Sequence, residues 1–139
     1  MSKAFIYAAN TTQQTLTGGG SVDLGSAIHG FGCTCCNKTI DISGNNITLR
    51  EGGYYEIIIS STVTGSAAGT VTLTLYQNGT PITGATTAVN IAAANEAASA
   101  SIACGVLVNR CSSSIITLAA TTTAGDVIIS NVSTTIDKK

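Results

Sequence analysis

After the glycine pair Gly52-Gly53 the chain runs Tyr54-Tyr55-Glu56-Ile57-Ile58-Ile59-Ser60-Ser61-Thr62-Val63. No other stretch constrains the fold as much. Aromatic and β-branched side chains dominate it, the types that fit a pleated, half-buried surface. Successive side chains on a strand point to opposite faces. Tyr55, Ile57, Ile59 and Val63 therefore share one face, with Ser61 interrupting. Tyr54, Glu56, Ile58, Ser60 and Thr62 share the other, which is mostly polar. The run predicts a long strand near the centre of a sheet, dry on one side and wet on the other.

Similar patterns recur on both sides of it. Residues 3–9 predict a first strand, in which Phe5 and Tyr7 alternate with Ala4, Ile6 and Ala8. Gln14 to Thr17 reads as a short strand closed by Gly18-Gly19-Gly20, and Val22 to Gly25 as another short piece. Residues 28–39 have no clear period and predict a loop or irregular edge. Thr39 to Ile42 and Asn46 to Leu49 flank the turn Ser43-Gly44-Asn45. Thr70 to Gln77 alternates cleanly and runs into Asn78-Gly79, a strong hairpin signal. Residues 82–93 predict a weaker strand, broken near Gly84. In residues 97–110, Ile102, Cys104, Val106 and Val108 oppose Ala103 and Leu107, so the segment is apolar on both faces. That predicts a strand buried on both sides. Residues 115–119 and 127–136 complete the set. The Ala-rich stretch 91–103 leans towards helix by propensity, but its Thr, Ser and β-branched neighbours favour strand. About ten short strands with turns between them predict an all-β, two-sheet antiparallel jelly-roll sandwich. Without a single Trp, the chain lacks the Cys–Trp–Cys signature of an immunoglobulin domain.

A chain of 139 residues makes one domain, 1–139, with residues 1–12 as a docking arm or as the first strand. Charged residues are only 9% of it, against about 25% in typical soluble domains. Such a neutral, polar surface gives little electrostatic protection from association. It predicts a protein that spends its life packed in an assembly. Net charge is −1 with no basic stripe, so nucleic acid is not an expected partner. No apolar run is long enough to cross a bilayer by a helix, and no membrane partner is expected. Met1-Ser2-Lys3 leads into strand-like sequence without the apolar region of a secretory signal. The expectation is synthesis in a cytoplasm without export by that route.

Catalysis needs convergent acid, base or nucleophilic groups. The chain has one histidine, His29, and no motif joins it to the nearest thiol, Cys33. No catalytic residue, cofactor or metal is expected from these residues. Gly18-Gly19-Gly20 lacks the Lys and following helix of a phosphate loop. The five cysteines, Cys33, Cys35, Cys36, Cys104 and Cys111, are an odd set for a disulfide framework. Buried free thiols are the leading reading. A disulfide formed after release from the cell, either Cys104–Cys111 or one involving Cys33 to Cys36, is the second. Zinc is the third, against which stands the absence of Cys-x-x-Cys spacing.

At Gly53-Tyr54-Tyr55-Glu56-Ile57 the sequence resembles the jelly roll shared by the globular head of complement component q and the tumour necrosis factors. The aromatic pair Phe5 and Tyr7 and the hairpin Leu75-Tyr76-Gln77-Asn78-Gly79 agree with it. It is more closely similar to small stand-alone proteins encoded by phages and prophages of Gram-positive bacteria. The shared elements are Phe5-Ile6-Tyr7-Ala8-Ala9-Asn10-Thr11-Thr12, Gly30-Phe31-Gly32-Cys33 and Asn78-Gly79-Thr80-Pro81. Cys33-Thr34-Cys35-Cys36 is richer in cysteine than that pattern. The resemblance implies a homotrimer. Tyr7, Tyr54, Tyr55, Val127, Ile129 and Val132 are the interface candidates, and a place in the protomer core is the other reading of each. By analogy with calcium-binding relatives, Asn45, Asn46, Glu51 and Asp126 would meet at a trimer apex. The implied role is a non-enzymatic structural protein of a tailed-phage virion, a trimeric decoration or cement protein on the capsid exterior. Its partners would be copies of itself and the major capsid protein, and it would be made in the host bacterial cytoplasm. A receptor-binding or fibre-tip adhesion module and a spore-surface protein are the alternatives.

Overall fold

The computed structural model describes residues 4–18, 20–31 and 39–139. Its strands, in chain order, are β1 (Ala4–Asn10), β2 (Gln14–Leu16), β3 (Gly20–Ser21), β4 (Ser26–Phe31), β5 (Ile40–Ser43) and β6 (Asn46–Leu49). They continue with β7 (Gly53–Gly65), β8 (Gly69–Gln77), β9 (Thr80–Ile91), β10 (Ala97–Val108), β11 (Ser114–Thr122) and β12 (Val127–Lys138). The described residues hold no helix, and the Ala-rich stretch is strand. Two antiparallel sheets face each other. The first runs β10-β7-β12-β1-β4, with β2 added along β12; the second runs β5-β6-β11-β8-β9, with β3 added along β11.

The long run after Gly53 is β7, paired with β10 on one side and β12 on the other. Tyr55, Ile57, Ile59 and Val63 are buried, while Tyr54, Glu56, Ile58 and Ser60 are exposed. Facing them across the core are Val71, Leu73 and Leu75 of β8 and Ile116 and Leu118 of β11. The Asn78-Gly79 hairpin has positive φ at both residues, 52° and 84°. That is the type I′ geometry whose twist suits two paired strands, and glycine is the residue that adopts it without strain.

Four segments bear on the expectations. Residues 4–10 form the first strand, β1, hydrogen-bonded to β12 on one side and β4 on the other. Of residues 28–39, expected as a loop or irregular edge, 28–31 belong to β4, a bulged edge strand paired with β1. The expected break near Gly84 is a shift in the β8–β9 register, after which pairing resumes at Thr86. Val22 to Gly25 is not a strand, although Val22 and Leu24 are buried and the Val22 N–H donates to the Leu118 carbonyl at 2.8 Å.

Candidate assembly surface

Strand β10 departs most from expectation. Its inner face packs into the core through Ala100, Ile102, Val106 and Val108. Its outer face, Ala97, Ser99, Ser101, Ala103, Gly105 and Leu107, is open. The strand is apolar on both faces, as the sequence indicates, yet the protomer covers only one of them.

The register lays the outer face of the first sheet out in rows. One row crosses all five strands: Ala103, Ile58, Thr135, Tyr7 and His29. Towards the start of β7 lie Gly105, Glu56, Asp137 and Phe5, then Leu107 beside Tyr54. Towards its end the face turns to hydroxyls, with Ser101, Ser60 and Ser133 in line and Ser99, Thr62 and Ser130 beyond. The half of the sheet nearer the chain ends therefore carries apolar and aromatic side chains on either side of the Glu56–Asp137 pair, and the other half is hydroxylated. Leu107 is 65% exposed, Tyr54 50% and Ile58 42%. Three large apolar side chains exposed on one sheet face are of the kind that marks an association surface.

Local geometry flattens this patch. A Cβ on Gly105 would fall inside the Tyr54 phenol, so the ring lies across the glycine. Tyr7 and His29 stack with centroids 6.4 Å apart and planes at 25°. Between them and Ala27 the β1–β4 register slips, and the extra residue is Ile28, 55% exposed. Glu56 and Asp137 are direct cross-strand partners. Lys139 reaches Asp137 at 3.2 Å, and that hydrogen bond, with the nearby Glu56 charge, raises the lysine pKa.

Of the interface candidates, Tyr7 and Tyr54 lie on this face. Tyr55, Val127, Ile129 and Val132 do not: all four are buried in the protomer core, because the inward beat of β7 and β12 carries them there. Ile58 is exposed, as its place on the wet face of the long strand indicated, whereas Ile28, Ala103 and Leu107 were not expected at the surface. Their signal was present in the excess of apolar residues on faces that should be wet.

Where β7 begins, a polar cluster closes the sandwich. The Lys138 side chain is buried and its ammonium sits 2.9 Å from Glu51 Oε1. Thr39 Oγ1 donates to Glu51 Oε2 at 3.1 Å, and the Tyr55 hydroxyl donates to the Glu51 carbonyl at 2.6 Å. The calcium set is not brought together. Glu51 precedes the first residue of β7, whereas Asp126 adjoins Val127, which pairs with the last. The strand between them spans about 40 Å. Among the described residues no three His, Cys, Asp or Glu side chains are grouped to hold a metal. Cys104 and Cys111 are free thiols; Cys104 is half-buried, which raises its pKa, and Cys111 is exposed. Cys33, Cys35 and Cys36 lie outside the described residues, as does any pairing of His29 with Cys33.

No protein-family model and no curated protein matches the chain. Solved structures do. Murine APRIL at pH 5.0 superposes with a TM-score of 0.70 at 11% identity, over 99% of this chain and 100% of that one. The fold is their jelly roll. The Eiger tumour necrosis factor from S. frugiperda gives 0.65 at 13% identity over 99% and 91% of the two chains. The globular domain of zebrafish complement 1qA gives 0.58 at 7% identity over 96% and 93%. The tumour necrosis factor and complement q jelly roll therefore accounts for the whole path of the chain, as the residues around Gly53 implied.

Proposed function

We propose that the protein is a non-enzymatic structural protein that works as a homotrimer, and that its setting is the head of a tailed phage. In this reading it is a decoration or cement protein that binds the major capsid protein from outside. The observation that carries the trimer is the open outer face of β10, β7 and β1, where Leu107, Tyr54, Ile58 and Tyr7 lie in one band. Burying about 800 Å² per copy there would be an interface of standard size. The low charge of the chain supports an assembled life, since few charges must be desolvated when copies meet. The phage setting is supported by the motifs at Phe5 to Thr12, Gly30 to Cys33 and Asn78 to Pro81.

Two measurements test the two parts separately. Light scattering at micromolar concentration should give three times the protomer mass of 13.9 kDa. A monomer would sink the trimer. Electron microscopy of undecorated capsids mixed with the protein should show added density on the shell. Density confined to the tail or fibres would point to receptor binding instead.

A further inference from the structure

We infer that the hollow beside the start of β7 is a carboxylate-binding site, in which Arg110 holds an aspartate or glutamate side chain of a partner protein. The partner rests on the capsid-bound reading above, and the site names the surface that grips it.

The glycine pair builds the hollow. A Cβ on Gly52 would come within 2.9 Å of Arg110 Cα, and one on Gly53 within 2.8 Å of Lys138 Cε. Bare backbone at both places lets the turn after β10 and the stem of Lys138 close on the same spot. That turn runs from Asn109 to Ser112, whose N–H donates to the Asn109 carbonyl at 3.1 Å. Within it Cys111 takes a positive φ of 63°, a conformation that residues with a Cβ adopt at a cost. The result is an open hollow of about 420 Å³ lined by Glu51, Gly52, Gly53, Arg110, Cys111 and Lys138. Its volume is near the low end of the roughly 300–1,000 Å³ of small-ligand sites, which suits the head of one side chain. Glu51 and Gly52 precede β7, and Arg110 and Cys111 follow β10, so the hollow opens at the end of the sandwich and not on the outer face.

Charge decides what it takes. The Lys138 ammonium and the Glu51 carboxylate, 2.9 Å apart, offset each other, and Thr39 Oγ1 donates to the other carboxylate oxygen. Arg110 has no such neighbour. Of the four described cations, Arg50 is paired with Asp41, Lys138 with Glu51 and Lys139 with Asp137. Among the described residues Arg110 is the one cation outside an ion pair. The carboxylate left over at this end, Glu56, lies on the outer face across from Asp137. The hollow therefore carries one net positive charge, on an exposed guanidinium. Its flat fork of N–H donors matches a carboxylate through two parallel hydrogen bonds. Phosphate shares that chemistry, but its higher charge would meet the Glu51 carboxylate in the same wall. A singly charged carboxylate fits the single net charge.

Nuclear magnetic resonance of the labelled full chain tests the site, with propionate, the head of a glutamate side chain, as the probe. It is titrated at constant ionic strength against chloride, with phosphate in a parallel arm. The Arg110 Nε–H resonance should shift saturably with propionate and respond more weakly to phosphate. Arg110→Lys should weaken propionate binding by about fivefold or more, because an ammonium cannot make the paired bonds. Arg110→Ala should abolish it, with circular dichroism unchanged at this exposed position. No saturable shift, tighter binding of phosphate, or equal affinity in Arg110→Lys overturns the site. Undecorated capsids test the partner: Arg110→Glu should lower occupancy by about tenfold relative to the wild type. Equal decoration by the two proteins overturns the contact with the capsid. A wild type that decorates nothing overturns the capsid reading, and the propionate titration then decides the site by itself.

Discussion

Tyr55 couples the core to the polar cluster beneath it. Its side chain is wholly buried, and its hydroxyl donates to the Glu51 carbonyl at 2.6 Å. Its pKa is pushed up to about 12, first by burial and then by the Glu51 carboxylate, against the pull of that hydrogen bond. The folded value exceeds the ordinary 10.0, so the fold favours the neutral phenol. Its contribution to stability is therefore complete below about pH 10 and lost as pH rises through about 12. Denaturant midpoints should fall across that window, and the Tyr55→Phe variant should lose the late phenolate step in an absorbance titration. The same variant should be about 1 kcal/mol less stable at neutral pH, for the lost hydrogen bond. Lys138 makes a second case. Glu51→Gln takes a carboxylate from a buried ammonium, whereas Lys138→Met removes the charge that burial penalises. Urea unfolding should show Glu51→Gln to be the costlier change, by about 1–2 kcal/mol after allowance for the solvent-facing side of Glu51. The burial of Lys138 was not legible as composition, because lysine is a surface residue by habit. It was legible as rhythm: Val132, Thr134 and Ile136 point inward, and Lys138 falls on the same beat.

Among the elements, β10 gives the sharpest separation of folding from assembly. Its outer face is exposed from Ala97 to Leu107, and the Tyr54 ring rests over Gly105. Gly105→Ala would lift that ring off the sheet. The ring is half exposed and free to swing, so the unfolding free energy should change by less than about 0.5 kcal/mol. The flat patch it helps to form would be spoiled, and sedimentation should show trimer dissociation at least tenfold easier. Equal loss of both properties would mean that Gly105 serves the protomer's own packing. The strand also shows where sequence reading stops. Alternation gives β7 and β8 in full, because each has one dry and one wet face within its own chain. An apolar outer face on β10 means only that something covers it; the chain does not say whether that is itself or another copy. In β9 the limit is of a different kind. Gly84 breaks the pattern in the sequence, while in the sheet it lies within the register shift, with φ of 85°, and Ala85 beside it remains buried. A break in rhythm cannot distinguish a bulge from an end.

At the scale of the whole molecule, charge follows the strand axis. Among the described residues, Arg50, Arg110, Lys138 and Lys139 lie at the end where β7 begins, and Asp23, Glu96 and Asp126 at the end where it finishes. Copies related by rotation along the strands would all point the same way, so a trimer would have one end with Asp23, Glu96 and Asp126 and no described cation, and another where the four described cations lie among Asp41, Glu51, Glu56 and Asp137. The hydroxylated half of the outer face lies towards the first end and the greasy band towards the second, which places the driving force for association nearer the chain termini. Because that band is part of the sheet, association and folding share one equilibrium: anything that binds the folded protomer and not the unfolded chain raises its stability by mass action. The melting temperature of the wild type should therefore rise with protein concentration, by roughly 2–4 °C for each tenfold step in a domain of this size. Leu107→Asp should melt at a temperature that does not depend on concentration and that meets the wild-type curve at high dilution. Parallel lines for the two proteins, both rising, would show that the copies associate through a surface other than the outer face of β10. A flat wild-type line at concentrations where scattering reports a trimer would show that the protomer unfolds only after the trimer has come apart.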